Sequence, residues 1–323
     1  MEKKDKCLIC KNDELNYFVA FEKMYGTKKK FRYYECKNCG MLRICIIPED
    51  IASYYPSDYY SFRTSNSIIQ KIKDFLILYR DKYLLQNKKT LIGKIVANHH
   101  PMENLDDFHY ILKNINLDNS TVLDIGSGSG NFLKTLANIG FTKNVGVDPF
   151  IEKDIITKQY KVFKKSLSDL VKEDVHFDNI FSTHSLEHMP NQEKALMQMK
   201  KLLKNDNSSI ILSIPIKTNY VWEKYGINWV QLDVPRHVCI QTLKSFKILL
   251  HKVGLKIQNY KFNSKINLFL GSELYLRGLP LCTNGKSNKN IFSNNEIINF
   301  SEELDSLNEQ ENGDQIICIL KKT

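Results

Sequence analysis

Val122-Leu123-Asp124-Ile125-Gly126-Ser127-Gly128-Ser129-Gly130, followed by Val145-Gly146-Val147-Asp148, decides how this chain folds. A short apolar run ends in an acid and then in three glycines spaced by one residue, and a second apolar run ends in another acid. A strand, a loop, a helix and a second strand in this order can hold a nucleoside. The glycines let backbone approach a ligand closely, and the second acid can accept hydrogen bonds from two ribose hydroxyls. A dinucleotide loop reads Gly-x-Gly-x-x-Gly, with a helix N-terminus facing a pyrophosphate. Here the third glycine comes one residue early and Asp124 precedes the loop.

The rest of the C-terminal part repeats the alternation. Phe177 to Ser182 reads as a strand followed by His184-Ser185-Leu186-Glu187-His188. Asn191 to Lys204 carries apolar residues at Ala195, Leu196, Met199, Leu202 and Leu203, the spacing of one helix face. Ile210 to Pro215, Val253 to Phe262 after a stop at Gly254, and Gln315 to Leu320 read as further strands. Strands alternating with helices predict a parallel sheet covered on both faces.

The form Asp-x-Gly-x-Gly-x-Gly resembles motif I of the class I methyltransferases that use S-adenosylmethionine. That resemblance implies an α/β, Rossmann-like seven-stranded sheet. It places Asp124, Gly126, Ser127, Gly128 and Gly130 along the methionine and ribose side of the cofactor and Asp148 at the ribose hydroxyls. Ser166 and Leu167 fall where the family contacts adenine. Asp169 beside them reads as a solvated loop acid.

Cys7-Leu8-Ile9-Cys10 and Cys36-Lys37-Asn38-Cys39-Gly40 have the knuckle spacing of a structural zinc site, with Gly40 suited to the turn after the second pair. Asn16 to Glu22 and Lys30 to Glu35 between them read as two strands of a ribbon. Four thiolates leave a zinc ion no open position, so Cys7, Cys10, Cys36 and Cys39 are read as structural ligands, with a redox role as the competing view. Cys45, Cys239, Cys282 and Cys318 read as ordinary buried residues. A ribbon in this place, together with Tyr34 to Leu42, Pro48-Glu49, Tyr54 to Tyr60 and Leu232-Asp233-Val234-Pro235-Arg236-His237, resembles bacterial methyltransferases of surface-glycan and deoxysugar pathways. The expected organisation is a zinc ribbon and entry segment over residues 1–60, a helical connector over 61–117 and the methyltransferase domain over 118–323. Ile68 to Leu85 in the connector has an amphipathic stripe and mixed charges, which favours packing over a membrane surface. Cys282 to Asn295 reads as a mobile loop before a helix around Glu296 to Leu307.

Methyl transfer from a sulfonium needs an aligned nucleophile, and a hydroxyl acceptor also needs a base. His184, His188 and His237 are the histidines at hand, and His184, Glu187 and His188 share one face of a helical turn. Three readings stay open. His184 or His237 is a general base; His184, Glu187, His188 and His237 hold a divalent metal that orients the acceptor; or the cluster is structural, with His188 capping a turn. The metal reading resembles the Glu-x-x-Glu-His site of ubiquinone O-methyltransferases and the Glu, Glu, His, His site of small-RNA 2′-O-methyltransferases, although His184 stands where those families carry glutamate.

Tyr220, Trp222, Trp229 and Arg236 follow the fifth strand, where the family inserts a substrate cover, and aromatic and basic side chains suit a sugar, a base or a phosphate. Packing of Trp222 and Trp229, and an ion pair between Arg236 and Asp233, are the alternatives. The 323 residues carry 46 Lys and Arg against 36 Asp and Glu, a formal +10, which favours an anionic small-molecule or glycan acceptor. Basic residues are interspersed with acids rather than gathered in a run, which weighs against nucleic acid. No apolar run is long enough to span a membrane, the N-terminus has no signal-like core, and paired cysteines suit a reduced, cytoplasmic setting. The expected reaction is O-methylation of a sugar, nucleotide sugar or glycan intermediate. C-methylation of a nucleotide-linked keto sugar, RNA methylation and a non-catalytic cofactor-binding subunit are the alternatives.

Overall fold

The structure is a computed structural model that describes residues 6–55, 68–86, 88, 90–102, 104–115, 119–283 and 286–323. Pro56 to Tyr60 of the entry segment therefore lie outside the described residues. The chain divides into two compact units. One comprises Met1–Pro56, Thr183–Met197 and Leu212–Thr323; the other comprises Ser57–Ser182 and Gln198–Ile211.

The strands are β1 (Leu15–Phe21), β2 (Lys30–Cys36), β3 (Leu42–Ile44), β4 (Val122–Ile125), β5 (Asn144–Val147), β6 (Ile155–Ile156), β7 (Tyr160–Phe163), β8 (Asn179–Thr183), β9 (Ser209–Pro215), β10 (Cys239–Ile240), β11 (Leu255–Phe262), β12 (Cys282–Thr283), β13 (Lys286–Ser287) and β14 (Gln315–Lys322). The helices are α1 (Ile68–Gln86), α2 (Leu91–His99), α3 (Leu105–Asn114), α4 (Asn131–Asn138), α5 (Leu167–Val171), α6 (Gln192–Lys201), α7 (Asn219–Tyr225), α8 (Leu243–Val253), α9 (Asn267–Leu276) and α10 (Asn294–Glu309). The unit that carries the glycine loop has the strand order β8-β4-β5-β7-β6, and in the other unit β11 pairs with β14.

In the unit that carries the glycine loop, β4 pairs parallel with both β5 and β8, and β5 with β7. All four residues of β4 are buried, as a central strand covered on both faces requires. The expectation of a parallel sheet is corrected: in this unit the short β6 runs antiparallel to β7, and in the other unit β11 runs antiparallel to β14. The described residues of the connector form the three helices α1, α2 and α3. Asp81 of α1 is fully buried and accepts from the Asn138 side chain of α4 at 2.8 Å, while Ile72 and Phe75 of α1 stay exposed. The predicted apolar stripe is thus only partly covered.

In the other unit, β1 and β2 form an antiparallel ribbon with Leu15 opposite Cys36, close to the predicted bounds. β3 continues that sheet and β10 closes it, pairing Cys239 with Arg43. The inner face of the ribbon (Ala20, Tyr33, Leu42, Ile44) shares one core with Val221, Tyr225, Trp229, Leu232, Leu268 and Phe269. α8 has the apolar spacing Phe246, Leu249, Leu250, Val253 on its buried side. Thr242 caps its start, and Gly254 at φ 67° ends it as predicted. The stretch Cys282 to Asn295, read as loop, contains β12, β13 and a 3-10 turn before the capping box of Ser293 and Glu296 opens α10. Cys239 and Cys318 are buried as expected, whereas Cys45 is exposed and Cys282 partly so.

Candidate active site and metal centre

The glycine loop leaves β4 with the amides of Gly126 and Ser127 both directed at the Val147 carbonyl, at 2.9 and 3.3 Å. Gly126, Gly128 and Gly130 have φ of 76°, 51° and 80°, a region that side-chain-bearing residues adopt only under strain. The second acid is held by the loop it faces. Gly128 N–H donates to Asp148 Oδ2 at 3.0 Å and Phe150 N–H donates to Oδ1 at 2.8 Å. Each carboxylate oxygen keeps a further lone pair for a ligand hydroxyl. Asp124 is buried beneath the loop, and burial, helped by the Asp148 charge, pushes its carboxyl up to about 7.

Two close approaches that the sequence does not announce shape this loop. A Cβ on Gly146 of β5 would lie 2.5 Å from Ser127 Oγ, so only glycine lets the loop rest on that strand. A Cβ on Gly130 would lie 2.7 Å from the ring of Tyr160. Ser166 caps α5 in a reciprocal box with Asp169: the amide of Asp169 donates to Ser166 Oγ, and the Ser166 hydroxyl donates to Asp169 Oδ2 at 2.6 Å. Asp169 is therefore a capping residue rather than merely a solvated one, and Leu167 is buried beside it.

In the other unit, Glu187, His188 and His237 each bring one potential ligand atom within 4.8 Å of the others, a group that does not include His184. Glu187 is 2% exposed, and among the described residues neither of its carboxylate oxygens has a hydrogen-bond donor. The nearest imidazole nitrogens are His184 Nδ1, 3.4 Å from Oε1, and His237 Nε2, 3.9 Å from the same oxygen. Burial works to raise the Glu187 carboxyl, but the surrounding imidazoles, His184 foremost, hold it down at about 2. Burial lowers His237 to about 4, aided by the charge of His188. His184 is more open to solvent and sits at φ 49°, an uncommon backbone state for a residue with a side chain.

The four cysteines of the N-terminal pairs also converge. Their Sγ atoms lie within 4.8 Å of one another, with Cys7 to Cys39 at 3.6 Å and Cys10 to Cys36 at 3.5 Å. A tetrahedral site with metal–sulfur bonds of about 2.3 Å has edges of about 3.8 Å, so this set can hold a metal ion with little movement. The thiol of Cys39 supports negative charge on Cys7 and draws it down to about 5. Gly40, at φ 75°, makes the turn after the second pair, its amide 2.7 Å from the Cys36 carbonyl.

Residues 97–260 match a family model described as a methyltransferase domain. The chain belongs to this methyltransferase family. No curated protein matches the chain. Similar solved structures include a Haloferax volcanii complex containing the Trm112 methyltransferase activator (13% identity, 75% of this chain and 96% of that one, TM-score 0.45). Others are a SAM-dependent methyltransferase from Archaeoglobus fulgidus (21%, 72% and 100%, 0.40) and an O-methyltransferase of a Brevibacillus brevis polyketide multienzyme bound to S-adenosyl-L-homocysteine (16%, 75% and 79%, 0.41). With TM-scores below 0.5, these likenesses assign no role to any residue here.

The cofactor of such a methyltransferase domain is S-adenosylmethionine, and the loop fits it. Three left-handed glycines bare the backbone, and a buried acid retains lone pairs for a diol. The aromatic and basic residues after β9 are placed unevenly. Trp229 is 1% exposed and its Nε1–H donates to Asp314 at 2.9 Å, while Arg236 is fully buried between Asp233 and Glu22. Tyr220 and Trp222 are only partly buried; Tyr220 shares Glu303 with Lys224, and Lys217 Nζ lies 5.4 Å from the centre of the Trp222 ring. Glu22, Tyr33 and Asp314 went unnoticed in the sequence, because each joins this group only through tertiary contacts. Among the described residues no helix is long and apolar enough to cross a membrane.

Proposed function

We propose that this methyltransferase transfers a methyl group from S-adenosylmethionine to a hydroxyl of an anionic sugar, nucleotide sugar or glycan intermediate in the cytoplasm, with zinc at Cys7, Cys10, Cys36 and Cys39 as a structural ion. The observation that carries the cofactor assignment is Asp148, anchored through both oxygens by loop amides and still able to accept from a diol. The cofactor supplies a methyl group on a positively charged sulfur, already an excellent electrophile. Holding the acceptor in line can supply about 7–11 kcal/mol of the barrier.

His184 has the features of the general base. It is partly exposed, and its Nδ1 faces the ionised Glu187, which would orient the ring and stabilise the imidazolium formed when a hydroxyl proton is taken. Such a base is worth roughly 10²- to 10⁴-fold in rate. His237 Nε2 faces the same carboxylate oxygen at 3.9 Å and is the other candidate base. Tyr220 and Trp222, with Lys217 beside the latter, offer partly open aromatic faces for a sugar or base, whereas Trp229 and Arg236 would support that wall from within.

The deciding experiment is incubation with methyl-labelled S-adenosylmethionine and a panel of nucleotide sugars, phosphorylated sugars, glycans, keto sugars and RNA. Label in an alkali-stable ether of a sugar hydroxyl, reduced at least tenfold by His184→Ala with cofactor affinity unchanged, is the expected result. Label on carbon or in RNA, or cofactor binding without transfer to any acceptor, would overturn the O-methyl reading.

A further inference from the structure

His237, which is buried, and His188, which is half-buried, each have one ring nitrogen committed to a backbone carbonyl. His237 Nδ1 lies 2.6 Å from the Gln231 carbonyl oxygen, and His188 Nδ1 lies 2.9 Å from that of Arg236. A carbonyl oxygen only accepts, so each Nδ1 carries the proton and the lone pair of each neutral ring resides on Nε2. Tyr55 Oη, 3.0 Å from His188 Nδ1, shares the same proton. Fixing the far ring nitrogen on a backbone carbonyl is the arrangement that surrounds metal-bound histidines.

Between these rings lies a carboxylate that burial should make costly. Glu187 is 2% exposed, and among the described residues neither oxygen has a hydrogen-bond donor. An ionised carboxylate in such surroundings calls for a cation. The adjacent Asp233 is not free for that role, since its two oxygens take Arg236 Nε at 3.0 Å each. The Glu187 backbone is itself pinned, its carbonyl accepting from Val238 N–H at 2.9 Å, so the carboxylate and the neighbour of His237 belong to one rigid piece.

The geometry points to a second metal site, with Glu187, His188 and His237 as three ligands to one divalent transition ion. Two imidazoles and one carboxylate suit zinc or iron rather than magnesium or calcium. Three protein ligands leave a position open, in contrast to the closed set of four cysteines. Ligands on such an ion stand about 3.3 Å apart, so His237 Nε2 and Glu187 Oε1, now 3.9 Å apart, must close by about half an ångström, within the reach of small side-chain rotations. His184 lies outside the ligand set and faces Glu187 Oε1 from the solvent side. If methyl transfer to a hydroxyl is the reaction, the open position is where that oxygen would bind and be acidified.

The test counts metal and does not depend on turnover. The full chain is loaded with zinc, freed of excess, and assayed for zinc per chain by elemental analysis beside Glu187→Gln and His237→Ala. The expected result is one zinc fewer per chain in each variant, with circular dichroism unchanged. Loading with Co²⁺ instead should add a weak visible band set to the intense sulfur-to-cobalt bands of the four-cysteine site, and only the added bands should be lost in both variants. Equal zinc counts in parent and Glu187→Gln overturn the site, and should His237→Ala fail to fold, the Glu187→Gln comparison alone decides. Absence of transfer to every acceptor would leave this count untouched, so the two readings fail separately.

Discussion

The hydroxyl of Tyr33 donates to the backbone carbonyl of His237 at 3.0 Å, so a ribbon strand holds in place the loop that carries a candidate site residue. Both residues are buried, and the adjoining pairing of β3 with β10 runs through Ile44 N–H to the Val238 carbonyl at 3.0 Å. The ribbon is therefore part of the scaffold of the histidine cluster. Tyr33→Phe keeps the ring and removes only the donor, leaving a buried carbonyl unpaired. A loss of about 1–2 kcal/mol in stability is expected from the midpoint of chemical denaturation. An unchanged midpoint would show that the hydrogen bond does not bind the ribbon to that loop.

Arg236 supports the same loop from below. Its guanidinium is fully buried, 2.6 Å from Asp233 Oδ1 and 3.4 Å from Glu22 Oε1, and Glu22 is itself fully buried. Glu22 also accepts from the amides of Tyr25 and Thr27 at 2.9 Å, fixing the turn between β1 and β2. Arg236→Met leaves two carboxylates without their cation. It should cost about 3–5 kcal/mol, and adding Glu22→Gln and Asp233→Asn should recover part of that loss. Urea denaturation of the single and triple variants measures both effects; a single variant as stable as the parent contradicts the ion-pair account.

These two contacts also mark the limit of what sequence could reveal. Local chemistry was readable: the apolar run into Asp124, the glycine loop, Asp148, the two Cys-x-x-Cys pairs and the helix face of α6 all depend on neighbours within a few residues. Tyr33 and His237, or Glu22 and Arg236, lie more than two hundred residues apart along the chain, and no periodicity announces such a pairing. Arg236 read equally well as an acceptor ligand or as an ion-pair partner of Asp233, because only burial distinguishes them. The role of Gly146 was hidden for a similar reason: a glycine inside a strand signals close approach, but the partner, Ser127, appears only when β5 and the loop are folded together. The antiparallel outer strands were missed because the alternation of elements fixes their order and not their direction.

The Asp148 carboxylate has two tasks, orienting the glycine loop and receiving the ribose. Asp148→Ala removes both, stranding the amides of Gly128 and Phe150. Hydrogen bonds to a charged group contribute about 1.5–3 kcal/mol each, so affinity for S-adenosylmethionine should fall at least thirtyfold, on the order of 2 kcal/mol, by titration calorimetry. Asp148→Asn retains one acceptor oxygen and should fall between the two. Parent-like affinity in Asp148→Ala would remove the ribose assignment.

Asp124 makes the protein without cofactor sensitive to pH in a direction opposite to that of an ion-paired acid. Burial raises its folded carboxyl from the ordinary 3.8 to about 7. Between about pH 4 and pH 7 the folded chain thus keeps a proton that the unfolded chain has released, and stability declines as pH rises through that window. Above pH 7 the penalty is complete, at most about 4 kcal/mol. Asp124→Asn removes the charge while keeping the shape, so the variant should melt above the parent at pH 8 and match it at pH 4. Comparing the two proteins at each pH cancels the contributions of Glu187 and His237, which titrate equally in both. Equal melting temperatures at pH 8, or an advantage for the variant confined to acid, would mean that Asp124 is ionised without cost in the free protein and that the loop shields it less than its burial implies.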